Sequence, residues 1–119
     1  LPNITVESYG IEGWAKKDEA KVKDKEKAAL ALKACRQAMF NGKYNVIIMD
    51  EVNIATYLNL LEVEEVLELI EEKPAGVELI LTGNFADPRL VKEADLVSEI
   101  LAIKHPYNEG VKARQGIDY

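Results

Sequence analysis

Two adjacent acidic residues follow a short apolar run near the middle of the chain. The run lies in a predicted strand from Asn45 to Met49, and Asp50 and Glu51 come directly after it. Because the apolar residues do not alternate with polar ones, we predict a strand that is covered on both faces, as in a parallel sheet. Carboxylates at the end of such a strand are suitable ligands for Mg²⁺ beside a phosphate group. The pair therefore indicates a metal site.

The same two acids also fit a purely structural arrangement. Asp50 would cap the following helix, and Glu51 would lie in its first turn, where acidic side chains are favourable. A second polar sequence, Thr82-Gly83-Asn84, ends the next predicted strand at 77–84. Ligands of parallel sheets lie beyond the carboxyl ends of the strands, so the agreement of two polar strand ends carries more weight than either alone.

The remaining helices and strands are predicted from the spacing of apolar residues and from the glycine and proline positions that end or begin them. In chain order we predict a short strand at 3–8, a helix at 18–40 ended by Asn41-Gly42, the strand at 45–49, a helix at 63–72, the strand at 77–84, a short helix at 89–93 opened by Asp87-Pro88, and a strand within 95–106. This alternation of strands and helices predicts an α/β fold with a mostly parallel sheet and helices on its faces, a three-layer α/β/α arrangement.

Length and composition narrow the range of functions. The 119 residues predict a single domain, and a net charge of −6 argues against nucleic acid as the main partner. No apolar run approaches the roughly 20 residues that span a bilayer, and no signal peptide is visible, so we expect a cytoplasmic protein. The single cysteine, Cys35, lies in an apolar run and is expected to be a buried hydrophobe rather than a nucleophile.

Several motifs in the carboxyl-terminal two thirds occur in a recognisable order. They are the Asp50-Glu51 pair, LL-x-x-EEV from Leu60, Thr82-Gly83, ADLVSE at 94–99, KHPY at 104–107 and GVKARQGIDY at 110–119. In this order and spacing the chain resembles the ATP:corrinoid adenosyltransferases of cobalamin biosynthesis and salvage. The upstream sequence YGIEGW, which ends at Trp14, is similar to a glycine-containing segment of that family.

The resemblance implies a reaction, a fold and a set of site residues. The family transfers the 5′-deoxyadenosyl group of ATP to Co(I) of a corrinoid, and its fold is of the P-loop nucleotide-binding (RecA-like) type. By analogy, Glu51 and secondarily Asp50 would bind Mg²⁺ (or Mn²⁺), and Thr82 and Gly83 would line the nucleotide cleft. The resemblance also implies a homodimer.

Other positions that the resemblance implicates have alternative interpretations. Trp14 would pack against the corrinoid or anchor its loop to the core. Lys112, like Lys104 and Arg114, would meet phosphate or the corrinoid amides, or remain in solvent.

Two departures from the family leave two hypotheses open. No G-x-x-x-x-G-K-[ST] phosphate loop occurs in residues 1–119, and Asn84 stands where family members usually have arginine. The chain begins at Leu1 without methionine, so we expect it to be the carboxyl-terminal two thirds of a longer adenosyltransferase, inactive alone. The alternative is a non-catalytic corrinoid-binding or assembly module of the same fold that has lost ATP binding.

Overall fold

A computed structural model describes residues 3–9 and 18–100 of the chain. The elements are α1 (Asp18–Phe40), β1 (Val46–Met49), α2 (Val52–Tyr57), α3 (Val63–Glu72), β2 (Glu78–Leu81) and α4 (Pro88–Glu93). The predicted helices at 18–40 and 63–72 are confirmed residue for residue, and the predicted strands at 45–49 and 77–84 are confirmed with shorter bounds. Because β2 ends at Leu81, the sequence Thr82-Gly83-Asn84 belongs to the loop that follows it.

The two strands form a parallel pair. Val46 lies opposite Glu78, and the register continues to Met49 opposite Leu81. A parallel pair needs a crossover connection, and α2 and α3 provide it. The α/β class and the parallel pairing are therefore confirmed, and both strands end at the same edge of the sheet.

The core lies against one face of this sheet. Its buried apolar residues come from all four helices and the segments that join them: Ala28, Leu32, Cys35, Met39, Val52, Ala55, Leu60, Leu61, Val63, Val66, Leu69, Val77 and Leu90. The strand residues packed against them are Ile47, Met49, Leu79 and Leu81. Side chains alternate between the faces of a strand, so their neighbours point the other way.

The outward face of the sheet contradicts the expectation of strands covered on both sides. Val46 is 51% exposed, Ile48 61% and Ile80 44%. The absence of alternation in the sequence correctly indicated apolar residues on both faces, but within residues 3–9 and 18–100 only one face is covered. A three-layer arrangement is therefore not formed by this part of the chain.

The predicted strand at 3–8 is wrong, and the described part of the strand predicted within 95–106 is not a strand. Residues 4–9 form no strand, and Ile4 and Val6 are both exposed. Residues 95–100 also lack strand structure, and Leu96 and Ile100 are almost fully exposed. An apolar segment becomes a strand only when a neighbouring strand accepts its hydrogen bonds, and no such neighbour is found here among the described residues. Residues 101–106 of the third predicted strand lie outside this part of the chain.

Helix α4 begins at the predicted Asp87-Pro88 signal. The Asp87 carboxylate accepts a 2.8 Å hydrogen bond from the Arg89 backbone N–H, and Pro88 occupies the first helical position. The Arg89 guanidinium also bonds Asp87 and reaches across to Glu64 of α3, at 2.7 Å. These bonds from Arg89 hold the pKa of Asp87 and of Glu64 below their usual values. Arg89 therefore joins α4 to α3.

We expect Arg89→Gln to weaken the acid dependence of stability. A carboxyl whose pKa is lowered by folding stabilises the native state above its unfolded pKa, and this contribution is lost as the pH falls below about 4. Without the guanidinium, the pKa values of Asp87 and Glu64 are lowered less by folding, so acidification removes less of the stabilising free energy. Urea unfolding midpoints at pH 7, 5 and 3.5 should therefore fall less steeply in the variant than in the wild type. Parallel pH profiles for the two proteins would contradict the assignment.

None of the helices in residues 3–9 and 18–100 has the length and apolar character that crossing a membrane requires.

Candidate functional site

The two polar strand ends meet at the carboxyl edge of the sheet. The Thr82 N–H donates to the Met49 carbonyl at 3.2 Å, which extends the strand pairing by one residue. The Thr82 hydroxyl donates to Asp50 Oδ1 at 2.7 Å, and its oxygen accepts the Glu51 backbone N–H at 3.0 Å. The two polar strand ends therefore lie together, as the parallel pairing requires. Thr82 binds the Asp50 carboxylate and the Glu51 main chain.

Glu51 has an unusual backbone for a long acidic side chain. Its φ of 61° and ψ of 17° are left-handed, a region that residues other than glycine rarely adopt. It precedes the first turn of α2, yet its side chain forms no capping bond. Asp50 is bonded to Thr82 rather than to the helix. The interpretation of the pair as a helix cap is therefore wrong, and the Glu51 carboxylate is exposed.

Gly83 brings the second loop against the first. Its φ of +117° is a conformation that side-chain-bearing residues rarely adopt. A Cβ at this position would lie 3.3 Å from the Glu51 Cα and 3.4 Å from the Asn53 Cβ. The close approach and the backbone angle both require glycine. The sequence analysis assigned Gly83 to a nucleotide cleft and did not predict this close packing, and the assignment to the cleft stays a prediction.

Asn53 connects the two loops and was assigned no role from the sequence. Its backbone N–H donates to the Thr82 carbonyl at 3.2 Å, and its side-chain amide donates to the Gly83 carbonyl at 3.0 Å. The residue is only 7% exposed, and its own carbonyl accepts the Thr56 hydroxyl. An asparagine four positions after the end of β1 carries no sequence signal of its own for this contact. Asn53 fixes the start of α2 to the Thr82–Gly83 loop.

We expect Asn53→Ala to destabilise the protein by about 1–3 kcal/mol, because it leaves the Gly83 carbonyl without its donor. Asn53→Asp should cost at least as much, since a carboxylate cannot donate and would face a carbonyl. Urea denaturation gives both values, and the exposed Asn45→Ala serves as the control. If Asn53→Ala and Asn45→Ala were equally stable, Asn53 would not hold the loops together.

The donor set suits a hard divalent cation. Asp50 and Glu51 supply carboxylate oxygens, and Thr82 holds one of those carboxylates in place. No group of three or more His, Cys, Asp or Glu side chains arranged for a metal occurs in residues 3–9 and 18–100. Two carboxylates without further ligands fit Mg²⁺, which retains several waters and binds substrate phosphates. The residues present are therefore compatible in chemical type with the expected ion.

Other candidate residues have different positions. Asn84 is exposed and follows Gly83 directly, whereas Trp14, Lys104, Lys112 and Arg114 lie outside the described residues. Cys35 is buried in the core as expected, and burial raises the pKa of its thiol. A raised pKa keeps the thiol protonated and poorly nucleophilic at neutral pH.

Comparison with known proteins identifies the family. The family model described as ATP:corrinoid adenosyltransferase BtuR/CobO/CobP matches residues 1–119. The chain belongs to this family. The match covers the whole chain, which is more than the carboxyl-terminal motifs alone had indicated.

Curated relatives carry the name of the same activity. A corrinoid adenosyltransferase of Sinorhizobium sp is 33% identical over 109 residues, which cover 91% of this chain and 51% of the relative. One of Pseudomonas aeruginosa is 32% identical over 114 residues, or 94% of this chain and 56% of the relative. Corrinoid adenosyltransferase CobA of Salmonella typhimurium is 33% identical over 93 residues, or 72% and 47%. The chain thus spans about half the length of these relatives.

Proposed function

We propose that this chain forms the metal-binding side of the active site of a corrinoid adenosyltransferase. The protein would transfer the 5′-deoxyadenosyl group of ATP to the Co(I) centre of a corrinoid substrate. The observation that carries this proposal is the acidic edge itself, where Thr82 holds Asp50 and Glu51 beside the Gly83 loop. Family membership and the names of the relatives support the same reaction.

The reaction requires no covalent chemistry from protein side chains. Co(I) supplies the electron pair that forms the bond to C5′, the bond between C5′ and the triphosphate oxygen breaks, and its pair leaves with inorganic triphosphate. The protein therefore has to align the two substrates and stabilise the leaving group. Among the described residues Cys35, the single thiol, is buried in the core, which is consistent with a mechanism that needs no side-chain nucleophile.

Asp50 and Glu51 are the residues that we assign to Mg²⁺. When bound there, the ion would neutralise charge that develops on the leaving triphosphate. Thr82 holds the Asp50 carboxylate through its hydroxyl and the Glu51 backbone N–H through its oxygen, so the Asp50 carboxylate and the Glu51 main chain are fixed before any ligand arrives. Gly83 and Asn84 would line the nucleotide cleft beside them. Outside the described residues, we keep Trp14 as a proposed corrinoid contact and Lys112 as a proposed phosphate or corrinoid contact.

We assign the phosphate cradle to polypeptide outside residues 1–119. These residues contain no glycine- and lysine-rich phosphate loop, and Asn84 supplies a neutral amide where the family usually has arginine. Arg89, the next cation along the chain, is already bonded to Asp87 and Glu64. We accordingly propose a P-loop-type fold for the complete protein, located in the cytoplasm, and no turnover of ATP by these 119 residues alone.

A second candidate function is favoured by the neutral side chain of Asn84 and by the bonds of Arg89 to Asp87 and Glu64, because neither residue then supplies a free positive charge for ATP. A non-catalytic module of the same fold would bind corrinoid without binding ATP. Calorimetry of the complete protein with MgATP and with hydroxocobalamin separates the two candidates. Heat from hydroxocobalamin alone favours the module, whereas a micromolar response to MgATP excludes it.

The decisive test of the enzyme is adenosyl transfer by the protein expressed from its complete coding sequence. The assay contains MgATP and chemically reduced hydroxocobalamin, with light-sensitive alkylcobalamin and inorganic triphosphate measured as products. We expect the two products in equal amounts. A protein that binds both substrates yet forms neither product would overturn the proposed function.

We also propose a homodimer. In the part of the chain that the structure describes, each strand has one unpaired edge, and the outward face presents Val46, Ile48 and Ile80 to solvent. Unpaired edges and exposed apolar faces favour association. Light scattering at high protein concentration should give the mass of two chains, and a single monomeric species would contradict the proposal.

A further inference from the structure

A cavity adjoins the acidic edge, and none of the residues assigned above to metal, nucleotide or corrinoid lines it. Its volume is about 420 Å³, within the range of small-molecule sites. It lies between the end of α2 and the loop that follows Asn84. Its lining residues are Thr56, Tyr57, Asn59, Phe85, Ala86, Asp87 and Pro88.

Two stacked aromatic rings form one side of this cavity. The centroids of Tyr57 and Phe85 are 4.5 Å apart, and their planes differ by 23°. The pair remains accessible, because Tyr57 is 58% exposed and Phe85 60%. An exposed aromatic stack attracts further flat rings, which bind by extending it. The stack is therefore suited to a planar ligand.

The backbone conformation of Phe85 does not contribute to the stability of the fold. Its φ of 62° is left-handed, which is unfavourable for a bulky aromatic residue, and its exposure means that little apolar surface is buried in return. Residues held in such conformations are concentrated at ligand sites. Asn59, on the opposite side of the cavity, is also left-handed at 60°, although asparagine tolerates this region well.

We propose that this cavity binds a purine base, stacked on Tyr57 and Phe85, with the Asn59 carboxamide as its hydrogen-bonding partner. Asparagine pairs with the adenine edge through one donor and one acceptor. Among the described residues, no hydrogen bond engages the Asn59 side chain. The lining residues named above supply no cation for a phosphate, and the Asp87 carboxylate is already bonded to Arg89, so an uncharged base is the better occupant.

The position of the cavity connects it to the metal site. Only Asn84 separates Phe85 from Gly83 in the chain, and Gly83 packs against Glu51 and Asn53. We therefore assign the base to the cavity and the phosphates of the same nucleotide to the side of Asp50 and Glu51. Naming the base as the adenine of ATP rests on the proposed function. Binding of a corrin ring on the Tyr57 and Phe85 stack in place of a base would be a different result.

The test uses NMR signals of the aromatic rings during separate titrations with adenosine and with dicyanocobinamide. We expect adenosine to shift the Tyr57 and Phe85 ring signals. Phe85→Asn removes the ring in a backbone conformation that asparagine tolerates, and it should weaken adenosine binding about tenfold. Phe85→Trp keeps a stacking surface and should retain the affinity. Phe40→Ala removes an equally exposed aromatic residue outside the cavity and should have no effect.

Three outcomes would overturn the proposal: no ring shifts with millimolar adenosine, the same affinity in Phe85→Asn as in the wild type, or shifts with dicyanocobinamide alone. These outcomes are independent of adenosyl transfer. A protein that transfers the adenosyl group but shows no adenosine shifts would lack this base site and keep the proposed function. If adenosine shifts the ring signals but the protein does not transfer the adenosyl group, the base site is retained and the proposed enzymatic function is rejected.

Discussion

Glu51→Gln is expected to lower the rate of adenosyl transfer by about 100-fold or more while leaving the stability of the protein unchanged. The substitution keeps the size of the side chain and removes the charge that we assign to Mg²⁺. Loss of one electrostatic contact to a leaving group commonly has an effect of this size. The rate is measured with the complete protein, MgATP and reduced hydroxocobalamin, and the stability by urea unfolding.

Two further variants make this expectation specific. Glu62 also precedes a helix, α3, without forming a side-chain cap, so Glu62→Gln is the matched control and should retain full activity. Glu51→Gly should be inactive yet more stable by about 1 kcal/mol, because glycine adopts the left-handed backbone of this position without strain. Equal loss of activity in Glu62→Gln, or full activity in Glu51→Gln, would remove Glu51 from the site.

Gly83→Ala is expected to destabilise the protein by about 2–4 kcal/mol and to separate the two loops of the site. The added Cβ would lie 3.3 Å from the Glu51 Cα and 3.4 Å from the Ile54 nitrogen, and both are backbone atoms that cannot rotate away. The φ of +117° adds strain of its own. Urea unfolding measures the loss, and ring-current and amide shifts around residues 50–53 report on the loop.

The other described glycines separate these two causes. Gly42 has a φ of +76° and no atom within 4 Å of an added Cβ, so Gly42→Ala should cost only the backbone strain, about 1–2 kcal/mol. Gly76 has neither a positive φ nor a close neighbour, so Gly76→Ala should be neutral or stabilising by under about 1 kcal/mol. If all three substitutions had the same effect, close packing at Gly83 would play no part.

The sequence was sufficient for the features that depend on local pattern. Helix α3 follows from apolar residues at helical spacing, and the start of α4 follows from Asp87-Pro88. The meeting of Asp50 and Glu51 with Thr82 and Gly83 also followed, because parallel strands end at one edge. Each of these inferences needed only neighbouring residues and one rule of sheet topology.

Features that depend on contacts between distant residues were not accessible from the sequence. Asn53 and Gly83 are 30 residues apart, and nothing local indicates that an amide joins them. The left-handed backbone of Glu51 and the stacking of Tyr57 on Phe85 have no local sequence signal either. The strand proposed at 3–8 failed, because apolar composition does not reveal whether a partner strand is present. The strand proposed within 95–106 stays a prediction over residues 101–106, which lie outside the described residues.

The central claim, that the acidic edge binds the metal, is tested most directly with Mn²⁺ as a paramagnetic substitute for Mg²⁺. Amide NMR signals of the protein are recorded as Mn²⁺ is added, in the wild type and in Glu51→Gln. We expect selective broadening of residues 50–53 and 82–84 at low Mn²⁺ in the wild type, and its loss in the variant. Broadening centred on other acidic residues, such as the glutamates of α3, or broadening unchanged by Glu51→Gln, would contradict the assignment.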